Sequence, residues 1–187
     1  VPAPKPIPAD LPSPAKAPGF FQLLQQKATA GRQYALQNGV STEVAFLLDM
    51  SLPSGKNRFF IYDFTRDTIA AAALVAHGSC NTAFLPEPLF SNEPGCGCSS
   101  LGRYRIGHAY DGSFGKAYKL HGLDSSNSNA YQRYVVLHGY SAVPEKETDP
   151  QPICNSLGCP MVAYSFLDQL SSIIEKQTKP VLLWIYQ

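Results

Sequence analysis

The chain has 187 residues, 44% of them hydrophobic, which is enough for one well-packed domain and too few for two of ordinary size. Fifteen Lys and Arg against fourteen Asp and Glu leave a net charge of +1, so charge makes no case for a nucleic-acid or anionic-membrane partner. No apolar run approaches the roughly 20 residues that span a bilayer, so no transmembrane segment is expected, and the N-terminus lacks the charged and apolar regions of a signal peptide.

In chain order, residues 1 to 18 hold seven of the sixteen prolines and no aromatic residue, a composition that favours a stiff extended segment over packed structure. We read residues 1–19 as a disordered Pro-rich tether and 20–187 as a single domain. Such a leader suits an exported protein, periplasmic or held at the cell envelope, and would equally suit an interdomain linker that was cut; a start at Val1 suits a mature or trimmed chain. From Phe20 to Asn38, Phe21, Leu24, Ala28, Gly31 and Ala35 follow helical spacing, with Gly39 where a helix-ending glycine belongs. Val44, Phe46, Leu48 and Met50 then alternate as in a strand, and "RFFIYDF" (58–64) and "TIAAAALVAHG" (68–78) continue as sheet. "GRYRIGHAY", "KAYKLHGL" and "RYVVLHG" read as further strands between turn-forming clusters. Past Cys159, a helix ending near Lys176 is predicted from Val162, Phe166, Leu170, Ile173 and Ile174, and "PVLLWIYQ" closes the sheet. The predicted class is α+β: a mostly antiparallel sheet or sandwich core with an N-terminal helix and a helix after Cys159.

The chemistry concentrates in "CNSLGCPMV" (154–162) and "VVLHGY" (135–140). Pro suits the first position of a helix, so Pro160 predicts Cys159 at the N-cap, where the helix dipole would favour a nucleophilic thiolate. Because Pro160 has no N–H, oxyanion donors would have to be the amide of Cys159 itself and neighbours such as Gly158 or Met161. His138 ends a β-patterned run and is placed to take the thiol proton, with the Gly139 carbonyl on its far ring nitrogen.

Several stretches in order, "VAHG", "FSNEPGCGCSSLGRY", "HGLDSSNSNAYQR", the strand ending in His-Gly and "SLGCPMV", resemble the murein L,D-transpeptidase catalytic-domain family, a branch of the YkuD-like enzymes. The similarity runs from about Val44 to Tyr186. It implies Cys159 as nucleophile, His138 as base, and Ser156, Gly158 and Gly139 as part of the same machinery. Ser99, Gly102 and Tyr104 match the start of a family strand, and substrate contacts are expected at Asn155, Tyr140 and Tyr104; His121 is read first as a structural strand-end imidazole bonded to backbone, with a place in the substrate groove as its alternative. The implied reaction is L,D-transpeptidation on peptidoglycan stem peptides, as donor and acceptor, by a monomer without cofactor or metal. Water as acceptor would make the enzyme an L,D-carboxypeptidase. A non-catalytic exported module that only binds wall peptides is a further alternative. The chain departs from the wider class at Leu157, at Met161 and Val162, where an Arg usually follows the cysteine, and at Cys154 and Asn155, where the nearer branch carries Gly-Arg.

Five cysteines are in keeping with an oxidising compartment, and the odd count leaves one thiol over. "HGSC" and "CGC" lack the Cys-x-x-Cys knuckles of zinc sites, so Cys80, Cys96, Cys98 and Cys154 are read as disulfide candidates, with zinc or free thiols as alternatives. A free thiol near an activated one would tend to oxidise with it, so Cys154 is expected to be occupied by Cys96 or Cys98. Cys80 would then take the remaining partner, giving two disulfides with Cys159 free. His77 is expected to be structural, His108 carries no signal beyond its type, and the charged loop "PEKETDP" (144–150) is read as a solvated segment placed to act as a lid.

Overall fold

The computed structural model describes residues 18–187, so the tether expected over 1–19 lies outside the described residues except for its last two positions. Those two, Pro18 and Gly19, begin helix α1 (Pro18–Asn38), which stops at Gly39 with φ of 68°. Phe20 rather than Phe21 occupies the core position, its ring 5.2 Å from that of Phe60. Phe20, Leu24, Ala28 and Ala35 bury against Ala45, Leu47, Tyr62, Phe64 and Leu182, which lays α1 across one face of the sheet.

The sheet has eight strands: β1 (Val44–Asp49), β2 (Phe59–Asp63), β3 (Thr68–Ala73), β4 (Gly102–Gly112), β5 (Gly115–Gly122), β6 (Val136–Gly139), β7 (Met161–Val162) and β8 (Leu182–Tyr186). Their spatial order is β3-β2-β1-β8-β4-β5-β6-β7. The β1–β8 and β6–β7 pairs are parallel and the others antiparallel. The alternation read from Val44 to Met50 understates β1: all six strand residues are buried, because α1 covers one face and helix α2 (Tyr164–Ile174) and the main core cover the other. The chain end is likewise central, with β8 filling the gap between β1 and β4. Phe166, Leu167 and Leu170 bury the inner face of α2, where the Phe166 ring meets Phe59 edge-on at 5.2 Å.

The expected helix start at Pro160 is corrected. Met161 and Val162 form β7, paired with His138 and Gly139, and Ala163 caps α2. Met161 also bridges to Ala76, so the backbone after Cys159 is committed to ladders before it can coil. The loop 144–150, expected as a lid, packs on the 53–57 turn and is not among the residues that line the thiol cleft. The Glu147 carboxylate accepts the Asn57 N–H at 2.8 Å, the Gly55 carbonyl accepts Thr148 N–H at 2.9 Å, and Lys56 pairs with Asp149 at 3.3 Å. These contacts fix it on the 53–57 turn.

Candidate active site

Parallel pairing of β6 with β7 at the sheet edge sets His138 opposite Met161, and the His138 N–H donates to the Pro160 carbonyl at 3.4 Å. The loop that precedes β7 therefore delivers Cys159 to the side of the strand that carries His138. Both line a cleft of about 710 Å³, together with Arg133, Tyr140, Asn155 and Ser156 among others.

His138 is 4% exposed, and its Nδ1–H donates to the Gly139 carbonyl at 3.0 Å, which leaves Nε2 as the proton acceptor. Phe114 stacks on the imidazole at 5.0 Å and meets Tyr140 edge-on at 5.6 Å. Burial holds the imidazole pKa below its ordinary value, and the Gly139 bond opposes that only in part. A β-carbon at Gly139 would stand 2.4 Å from the Tyr164 ring, so α2 reaches the strand end only over a glycine.

The half-buried Cys159 sulfur accepts the Val136 N–H at 3.4 Å, and its thiol donates to the Tyr134 carbonyl at 3.7 Å. Burial pushes the thiol pKa up, with the Val136 N–H and the Arg133 charge acting against it. The thiolate expected from a helix N-terminus therefore has no such source, since the following helix begins only at Tyr164. The turn before the sulfur is built by Ser156, whose Oγ accepts the Gly158 N–H at 3.0 Å while its own N–H donates to the His77 carbonyl at 2.8 Å. Gly158 has φ of 111°, and its carbonyl accepts the Ser99 hydroxyl at 3.3 Å. Of the oxyanion donors expected from sequence, Gly158 is thus already used by Ser156. The Cys159 N–H has no acceptor among the described residues.

Asn155 lines the cleft, but its amide is clamped to the 85 loop: Oδ1 accepts the Leu85 N–H at 2.6 Å and Nδ2 donates to the Leu85 carbonyl at 2.9 Å. Beneath it, His77 is fully buried, accepts Arg58 Nη2 at 2.8 Å and donates from Nε2 to Leu85 at 2.9 Å. Burial, with the Arg58 charge adding to it, lowers the His77 pKa to about 4. Tyr104 stands apart from the cleft, fully buried in the core with its hydroxyl on the Ser100 carbonyl at 2.7 Å. His121 is also elsewhere, stacked on Tyr131 at 4.8 Å in a different hollow.

The cysteine scheme is corrected as well. One disulfide joins Cys80 to Cys98, and Cys96, Cys154 and Cys159 are free. Gly78 lets the two segments approach, since a β-carbon there would stand 2.3 Å from the Gly97 carbonyl, and the Cys80 N–H donates to that carbonyl at 3.0 Å. Cys154 instead packs on the small apolar cluster of Leu74, Ala76, Val143, Ile153 and Met161, beside Cys159.

Arg133 was not singled out from sequence. Its Nη1 donates to the Ser91 carbonyl at 2.9 Å and to the Ser100 hydroxyl, and its Nη2 to the Cys98 carbonyl and to the Cys96 sulfur at 3.2 Å. It has no carboxylate partner among the described residues. Met161 and Val162 stand where the wider class carries an Arg after the cysteine, and the fold brings a guanidinium to the thiol cleft from the segment before β6 instead. The one local clue is "QRY" directly ahead of the strand that ends in His138.

A mixed sheet flanked by two helices, with a thiol and an imidazole facing one cleft, defines the kind of domain. The chain belongs to the L,D-transpeptidase catalytic domain family, which matches residues 19–186 and so includes α1. No curated protein matches it. Among solved structures it is similar to an avibactam carbamoyl-enzyme form of Ldtfm, at 12% identity and TM-score 0.48 over 78% of this chain and 49% of that one. An L,D-transpeptidase from Xylanimonas cellulosilytica matches at 12% identity and TM-score 0.44, over 82% of this chain and 68% of that one. The helical cell shape determining protein Pgp2 of Campylobacter jejuni matches at 11% identity and TM-score 0.48, over 87% of this chain and 56% of that one. The chain thus spans about half the length of the Ldtfm and Pgp2 structures. No helix among the described residues is long and apolar enough to cross a membrane.

Proposed function

We propose that the domain is an exported cysteine acyltransferase that acts on peptidoglycan stem peptides, with Cys159 as nucleophile and His138 as base. The observation that carries this reading is the paired lining of one cleft by a thiol and an imidazole whose Nδ1–H is fixed on the Gly139 carbonyl. That bond presents a basic Nε2 and holds the tautomer through the cycle.

The resting pair is a neutral thiol beside a neutral imidazole, because burial raises the first pKa and lowers the second. Proton transfer from Cys159 to His138 then accompanies attack on the amide between the L-centre of the diaminoacyl residue and the terminal D-alanine. The negative charge that develops on the carbonyl oxygen is met by the free Cys159 N–H. Collapse of the adduct returns the proton from His138 to the leaving D-alanine amine and leaves a thioester on Cys159. An acceptor amine, deprotonated by His138, attacks the thioester carbonyl; the C–S bond breaks, the cross-link amide forms, and the departing Cys159 sulfur takes the proton back from His138. Arg133 supplies a positive charge beside the sulfur throughout, while Ser156 and Gly158 hold the turn.

The test is product analysis with a tetrapeptide-stem muropeptide supplied with an acceptor stem. Cross-linked dimer with D-alanine release is the expected product. Release of D-alanine with tripeptide alone would make the enzyme an L,D-carboxypeptidase, and no D-alanine release would remove the acyltransferase reading.

A further inference from the structure

A second concentration of chemistry lies away from the thiol cleft, where the β4–β5 ladder slips register between Ile106 and Ala109. Such a bulge re-aims the side chains around it. Here it sits beside Gly107, where a β-carbon would stand 2.8 Å from His121 Nε2, so the glycine lets the imidazole lie down over β4. The ring is steadied from the other side by Tyr131, stacked at 4.8 Å with 16° between planes. A hollow of about 420 Å³ results, bounded by β4, β5 and the loop between α2 and β8. Arg105, His108, His121 and Lys179 all line it, and no carboxylate does. None of these four side chains makes an ion pair among the described residues, and none has a hydrogen-bond partner there.

We infer that this hollow is a binding site for a phosphate group, independent of the thiol cleft and of the reaction proposed there. Two permanent cations, Arg105 and Lys179, and two imidazoles line the hollow from β4, β5 and the loop before β8, Arg105, His108 and Lys179 being exposed and His121 half-buried, a donor set that fits a doubly charged tetrahedral oxyanion. A planar carboxylate would be satisfied by one guanidinium fork and would leave the other donors without a role. The positive field is already felt inside the site: Arg105 and His108 add to burial in lowering the His121 pKa, an effect that an anion between them reverses. The phosphate is either free or carried on a larger molecule, and the two sources share this chemistry.

The experiment is a titration of the purified chain at constant ionic strength, following the ring-nitrogen NMR signals of His108 and His121. The probes are inorganic phosphate, a hexose 1-phosphate and acetate. Saturable shifts of both histidines with the two phosphates and not with acetate are expected. Tighter binding of the hexose phosphate assigns the group to a larger ligand, and equal binding assigns it to free phosphate. Arg105→Gln combined with Lys179→Gln removes the two permanent charges and is expected to weaken binding about tenfold or more. The rate of Cys159 alkylation, read on the same variant, is expected to match the parent and shows that the domain is folded. Linear, unsaturated shifts, an equal response to acetate, or undiminished binding by the folded double variant would overturn the inference.

Discussion

Replacing Gly158 by alanine separates backbone shape from chemistry at the thiol. At φ of 111° a residue with a β-carbon is strained, at a cost on the order of 1–3 kcal/mol. The added carbon would stand 2.7 Å from the Cys98 carbonyl oxygen and 3.3 Å from Arg133 Nη2. Neither neighbour yields readily, because Cys98 is tied to Cys80 by the disulfide and its carbonyl holds the Arg133 guanidinium. The 158–159 segment must move instead, and the sulfur with it. In a chain of this size each kcal/mol corresponds to about 2–4 °C, so Tm is expected to fall by about 2–12 °C. A nucleophile displaced by about 1 Å loses on the order of 10²-fold in turnover. Calorimetry and D-alanine release on one preparation measure both. An alanine variant with parental Tm and parental turnover would refute the claim that this turn positions the sulfur.

Three further outcomes follow from the geometry. Removing the Cys80–Cys98 bridge, which closes a separation of 18 residues, with Ser at both positions should cost about 3 kcal/mol in the chain-entropy model, and alkylation of the denatured, unreduced parent should add three labels, at Cys96, Cys154 and Cys159; a single label would contradict the pairing. Arg133→Gln should move the pH profile of Cys159 alkylation upward and Arg133→Lys should restore part of it, whereas superimposed profiles would remove the electrostatic role. His77 is depressed to about 4 in the folded chain against its ordinary 6.5, so the unfolded state takes the proton first: this stability is complete above about pH 6.5 and lost as pH falls towards 4, about 3 kcal/mol in all, with His138 adding in the same direction. Urea midpoints should therefore be lower at about pH 5 than at pH 7, and an unchanged midpoint would count against it.

The strands other than β7, and the existence of the two helices, were legible because apolar period and turn residues are local properties. α1 declared itself through Leu24, Ala28 and Ala35, and β6 through its unbroken apolar run into His138. The passage after Cys159 was not legible, since Pro160 followed by apolar residues suits a helix start equally well. Only long-range pairing of Met161 and Val162 with β6 decides for a strand. The same limit hid the disulfide partner of Cys98, which depends on Gly78 packing against residues 97–99, and Arg133, whose contacts reach back to the 91–100 loop. Tyr104 was misplaced for the opposite reason: its strand was recognised, but not which face of it turns to the core.

The most direct test is intact-mass measurement after rapid mixing with a tetrapeptide-stem muropeptide, followed by peptide mapping. The parent should carry one acyl group, less D-alanine, on Cys159; His138→Ala should accumulate it far more slowly, and Cys159→Ala should stay unmodified while remaining folded. A parent that releases D-alanine without a Cys159 adduct at any time, or a Cys159→Ala variant with parental turnover, would contradict the account.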